Sequence, residues 1–169
     1  MRKFAGWLAV LAVLAIVTLG VALRADEEKI AIDKLPKAVV DALKARFAGA
    51  ELKSAEKENE DGKTVYDVEL KYKGVNYEVA VTPEGKITGY EKAISAKDMP
   101  SAASKALEYK YPKSTIKLVE EVYKVEGKED KFEYYEVALV TADKKKVEAH
   151  VAKDGKILKA KEEKKKEEK

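Results

Sequence analysis

The sequence predicts an α+β fold made of two tandem units, each a helix followed by a four-stranded antiparallel sheet, with the helices packed on one sheet face. Three observations carry this. "YEVAVTPEGKI", from Tyr77, and "VEAHVAKDGKI", from Val147, read nearly alike, each an alternating run closed by a tight turn and Gly-Lys-Ile. "LPKAVVDALKARF" (Leu35–Phe47) aligns with "MPSAASKALEYKY" (Met99–Tyr111) at an offset of 64 residues, from 35 to 99. After each of these segments the apolar residues recur with a period of two, as half-buried strands require.

The chain of 169 residues opens with Arg2 and Lys3, followed by an uncharged stretch from Phe4 to Leu23. A positive start, an apolar middle and small residues near Ala25 are the layout of a secretory signal, so residues 1–25 are expected to be a leader. A run of about 20 apolar residues also suffices to span a bilayer, so an uncleaved membrane anchor is the rival reading. Either way the remainder is expected outside the cytoplasm: periplasmic or secreted, or tethered to the membrane by residues 4–23. The leader holds three of the 34 basic residues and none of the 31 acids, leaving 31 of each and a net charge of zero. No basic stripe with interleaved aromatics stands out, which argues against nucleic acid as a partner. With no cysteine there are no disulfides and no lipidated-cysteine anchor.

The first unit spans 34–93. Pro36 suits a helix start, and Val39, Leu43 and Phe47, four apart, stack on one face of the helix, which Gly49 ends. "ELKSAEKE" is the first strand. "TVYDVELKY" follows, with Tyr66, Val68, Leu70 and Tyr72 on one face and Val65, Asp67, Glu69 and Lys71 on the other. A turn at Lys73-Gly74 leads to "VNYEVAV", and "TPEGK" turns the chain into "ITGYEKA". The second unit, 98–161, repeats the plan: a helix with Ala103, Leu107 and Tyr111 in the matching places, then "TIKLVEEVYKV", "FEYYEVALV", "KVEAHVA" and "ILKAK". Residues 162–169 are a charged tail with no apolar face. A unit of about 60 residues has only a marginal core, so two copies are expected to share a sheet or pack together. Most of the nine tyrosines, including Tyr66, Tyr72, Tyr77 and Tyr135, alternate into the predicted core and read as packing residues.

A leader, tandem "LP…A…L…F" segments, hairpins carrying "YEV" and a closing "EGKI" or "DGKI" resemble the PepSY-like, beta-lactamase-inhibitor-like family, related to the PepSY domain of peptidase propeptides. The resemblance covers about Leu35 to Lys161. It implies a duplicated helix-plus-four-strand unit whose exposed sheet face grips a protein partner. The chain lacks the cysteines of the secreted beta-lactamase inhibitors, so their inhibitory contacts are not carried over.

Function is expected on the sheet face turned away from the helices. In the first unit that face presents Val65, Asp67, Glu69 and Lys71 beside Asn76, Glu78, Ala80 and Thr82, an ordinary solvated surface. In the second it presents Phe132, Tyr134, Glu136, Ala138 and Val140 beside Lys146, Glu148, His150 and Ala152, apolar enough to be a partner surface. Phe132, Tyr134, Glu136, Ala138, Glu148 and His150 are the candidate partner-binding residues. Cover by "KVEGKED", the tail or the other unit is the competing reading of the same side chains. One histidine and no cysteine is a poor ligand set, so no metal site and no cofactor are expected. No nucleophile paired with a base and no phosphate-binding loop is present, which argues against an enzyme.

The leading functional reading is an exported, non-catalytic module that binds an unidentified protein in the cell envelope or outside the cell, inhibiting a hydrolase or peptidase in its narrower form. A membrane-tethered structural or sensory ectodomain is the first alternative. A small-ligand or cation binder using Glu136, Glu148 and His150 is the second.

Overall fold

A computed structural model describes residues 28–60 and 62–162. The expected leader lies outside them, as do residues 163–169 of the expected tail. Strands β1 (Glu28–Ile30), β2 (Glu51–Glu60), β3 (Lys63–Tyr72), β4 (Val75–Val81), β5 (Ile87–Ala93), β6 (Thr115–Glu126), β7 (Glu129–Val140), β8 (Lys146–Val151) and β9 (Ile157–Glu162) run in sequence order across one antiparallel sheet. Helix α1 (Lys37–Arg46) precedes β2, and α2 (Ser101–Lys110) precedes β6. The protein is therefore two helix-plus-strands units, as the sequence predicts, with β1 added at the outer edge of the first. At three residues, β1 is too short to show an alternation of its own.

The two units share a single sheet. β5 pairs with β6 from Gly89 opposite Lys124 to Ala93 opposite Glu120, so the last strand of one unit hydrogen-bonds the first strand of the other. The seam is tied on the helix side as well. Arg46, at the end of α1, binds Asp130 of β7 at 2.6 Å, and the Tyr90 hydroxyl donates to the same carboxylate at 3.1 Å. The Tyr90 and Tyr123 rings stack across the seam with centroids 4.9 Å apart, a contact worth on the order of 1 kcal/mol beyond its burial.

Each helix buries one stripe. Val39, Leu43 and Phe47 pack on Val68, Leu70, Val79 and Val81, while Ala103 and Leu107 pack on Val119, Val137, Leu139 and Ala149. Pro36 and Pro100 stand one residue earlier than a first-turn proline, at the N-cap, with ψ near 141° and 142°. Lys44, Arg46 and Lys110 in the last turns complement the helix dipoles. Gly49 leaves α1 at φ 82°, and Lys113 adopts φ 60° at the corresponding place after α2.

The repeated Gly-Lys-Ile has a packing reason. Gly85, in the β4–β5 turn, lies so close to α1 that a Cβ there would stand 2.5 Å from the Ala38 carbonyl oxygen. Gly155, in the β8–β9 turn, would place a Cβ 2.6 Å from the Ala102 oxygen of α2. Both have positive φ, 83° and 89°, so a side chain is opposed by backbone conformation and by space. These turns seat the helices on the sheet. Because both helices and their cores lie on one face, the other face is left free of them.

Candidate functional site

Strand alternation decides which side chains reach the free face, and one irregularity changes the expectation. β6 and β7 pair Val122 with Tyr134 and then Tyr123 with Phe132, so Glu133 is an extra residue in β7. This bulge breaks the period of two. Phe132 consequently lies on the helix face, 4.9 Å from the Tyr135 ring and 5.7 Å from the Tyr123 ring, with the Lys153 ammonium 4.1 Å above it. The expectation that Phe132 belongs to the free face is corrected: it packs against the second core.

Tyr134, Glu136, Ala138, Glu148 and His150 do share the free face. Glu136 pairs with His150 in the register and Ala138 with Glu148. The Tyr134 ring stacks on the His150 imidazole, 4.3 Å between centroids and 8° from parallel. His150 Nε2 stands 3.1 Å from Glu136 Oε2 and 3.3 Å from Glu148 Oε1. Burial disfavours the imidazolium, but the two carboxylates outweigh it and hold the histidine above its ordinary pKa. The contact with His150 keeps Glu148 below the usual carboxylate range, whereas burial pushes Glu136 above it.

The surface differs in character from the apolar patch expected. With Phe132 on the other face, Tyr134 is the one aromatic among the expected contact residues that remains there, and it is half-buried. The middle of the face is acidic and closed to water: Glu91 is 0% exposed, Glu136 2% and Glu120 8%. Val65 and Ala80, on the same face, are buried too, so the first unit's part is less solvated than expected, and Val122 of the second unit is buried as well. Glu69 faces Glu78, Glu78 faces Glu91, and Glu120 faces Glu136 across adjacent strands. Like charges directly opposite in a sheet oppose its formation. Burial first, then the neighbouring carboxylates, drives Glu78 and Glu91 well above the carboxylate range and Glu120 up to about 7.

Carboxylate oxygens of Glu91, Glu120 and Glu136 lie within 4.8 Å of one another, and donor atoms of Glu136, Glu148 and His150 form a second such group. Glu91 and Glu120 were not expected in any site. Glu120 and Glu136 stand opposite each other, and Glu91 faces Val122, two residues along β6 from Glu120. The β5–β6 pairing that unites these residues joins segments from different units, which the strand patterns alone do not specify.

Neither a protein-family profile nor a curated protein matches the chain. Solved structures do. A DUF2874 family protein from Bacteroides uniformis superposes with a TM-score of 0.60 at 16% identity, over 75% of this chain and 88% of that one. A BLIP-like protein from Bacteroides fragilis, named for the beta-lactamase inhibitor protein, gives 0.55 at 19% identity over 75% and 84%. The chain has the DUF2874 and BLIP-like fold. A further DUF2874 family protein, from Bacteroides ovatus, gives 0.58 at 14% identity over 75% and 86%. At these identities the likeness is one of fold, and in that sense the beta-lactamase-inhibitor-like resemblance read from the sequence stands. Partner and site must be argued from the residues.

Proposed function

We propose that the protein is an exported, non-catalytic binding protein that holds a protein partner on the helix-free face of its sheet. The observation that carries this reading is the concentration of both helices and both apolar cores on one face, which leaves the other with Tyr134, Ala138, Glu148 and His150. The BLIP-like fold supports a binding rather than a catalytic role, and the N-terminal signal pattern supports export. Tyr134 is the anchor in this reading: a rigid aromatic, half-buried, held in place by stacking on His150. Inhibition of a hydrolase or peptidase is its narrower form.

Affinity capture from the envelope extract of the source organism tests it, followed by titration of the purified captured protein. The control bait is Tyr134→Ala/Glu148→Lys, because both residues are only partly buried. Changing buried Glu136 would disturb the sheet instead. A partner bound at least tenfold more weakly by the control supports the reading. Equal binding by both baits contradicts it.

A further inference from the structure

The buried acids at the seam have no structural use that the fold makes plain. Glu91 on β5 is 0% exposed, and among the described residues its carboxylate oxygens find no hydrogen-bond partner outside the acid group itself, where the Glu120 carboxyl is its neighbour. Oε2 of Glu120 and Oε1 of Glu136 are in the same condition. A buried carboxylate oxygen without a donor is costly, and two further buried carboxyls beside it add to the cost. Such a group must be neutralised, either by taking up a proton or by a cation.

We propose that Glu91, Glu120 and Glu136 form a binding site for a hard divalent cation, with calcium as the ion that fits best. Two oxygens on one calcium ion, each at about 2.3–2.6 Å, stand no more than about 5 Å apart. The three carboxylates meet this, since their oxygens lie within 4.8 Å of one another. Three carboxylates offer up to six oxygens, the lower end of the coordination that calcium takes. Magnesium sheds its waters reluctantly, and the side chains here are almost wholly enclosed, which favours calcium. An all-oxygen donor set also disfavours zinc and copper. Three negative charges and one divalent ion leave a single negative charge, next to which the His150 imidazole stands 3.1 Å from Glu136 Oε2.

The neighbouring group of Glu136, Glu148 and His150 is a weaker candidate. There His150 Nε2 already approaches both carboxylates, so the polar atoms satisfy one another. The expectation of no metal site was argued from the scarcity of histidine and cysteine, and an all-carboxylate site does not need either. This inference does not depend on the identity of a protein partner, and either can fail without the other.

The test is calorimetric titration of the purified whole chain, in mild detergent and freed of metal, with calcium chloride alone at pH 7.5. Glu91→Gln is compared with Glu148→Gln, which lies outside the proposed site. The expected result is saturable binding by the wild type and by Glu148→Gln within threefold, with at least a tenfold loss in Glu91→Gln. Glu120→Gln serves in the same role should Glu91→Gln not fold. Absence of saturable binding by the folded wild type overturns the proposal, as does equal binding by Glu91→Gln and Glu120→Gln. A loss confined to Glu148→Gln overturns it in favour of the histidine group.

Discussion

Glu120 on β6 and Glu136 on β7 stand directly opposite each other in the sheet, and both are buried. Glu91, from the other unit, completes the group across the seam. A pairing that opposes folding, placed where the two units join, points to a role other than stability.

The charge state of this group sets a pH dependence. With cations chelated, Glu120 keeps its proton up to about pH 7, because burial and then Glu136 and Glu69 raise its pKa from the ordinary 4.5. A folded-state pKa above the unfolded one gives stability that is complete below about 4.5 and lost as pH rises through 7. Glu78, Glu91 and Glu136 are raised as well, and His150, also raised, acts in the same direction. Urea unfolding should therefore show stability falling from pH 5 to pH 7.5, by up to about 1.4 kcal/mol per pH unit for each proton difference. A rise over that range would contradict the assignment.

Gly155→Ala should destabilise the protein by about 2–4 kcal/mol, combining a left-handed backbone with overpacking against α2. Gly85→Ala should behave alike against α1, because the two turns meet their helices at the same distance within 0.1 Å, 2.5 against 2.6 Å. Midpoints of urea unfolding measure both. Gly74→Ala is the control: its φ is also positive, at 83°, but open space surrounds it, so only the backbone cost of about 1–2 kcal/mol applies.

The bulge at Glu133 separates two neighbouring aromatics by function. Phe132→Ala should lower stability by about 1–3 kcal/mol, since the ring packs with Tyr135 and Tyr123. It should leave partner capture unchanged. Tyr134→Ala should weaken capture, and losing the ring stacked on His150 should also lower stability by about 1 kcal/mol. Thermal unfolding and partner titration of the same two variants decide it.

Most of the fold was legible because its signals are local. Val39, Leu43 and Phe47 mark a helix face by spacing, and Tyr66, Val68 and Leu70 mark a strand face. The bulge was not legible: Phe132 and Tyr134 are two apart, and strict alternation puts them together until one extra residue moves Phe132 across. The carboxylate group was hidden for a different reason. Glu136 was placed with Glu148 and His150 by their own hairpin, but Glu91 reaches them only through the β5–β6 pairing between units. The near-repeat of Gly-Lys-Ile was visible at once, whereas its cause needed the distance from each turn to its helix.

The seam contact on the helix side should be modest. Arg46 and Asp130 are each about a third exposed, 30% and 33%, so the pair is partly screened. A double-mutant cycle on Arg46→Ala and Asp130→Ala should give a coupling of about 0.5–1 kcal/mol.

The most direct measurement of the central claim, that the buried acids of the free face serve binding at the expense of stability, is the unfolding free energy of Glu120→Gln in chelator. At pH 5 the Glu120 carboxyl is protonated, and the near-isosteric amide should change little. At pH 8.5 the variant should be more stable than the wild type by about 1 kcal/mol or more, because a buried charge facing Glu136 is gone. A variant less stable than the wild type at both pH values would show that the carboxylate supports the fold and would contradict the account.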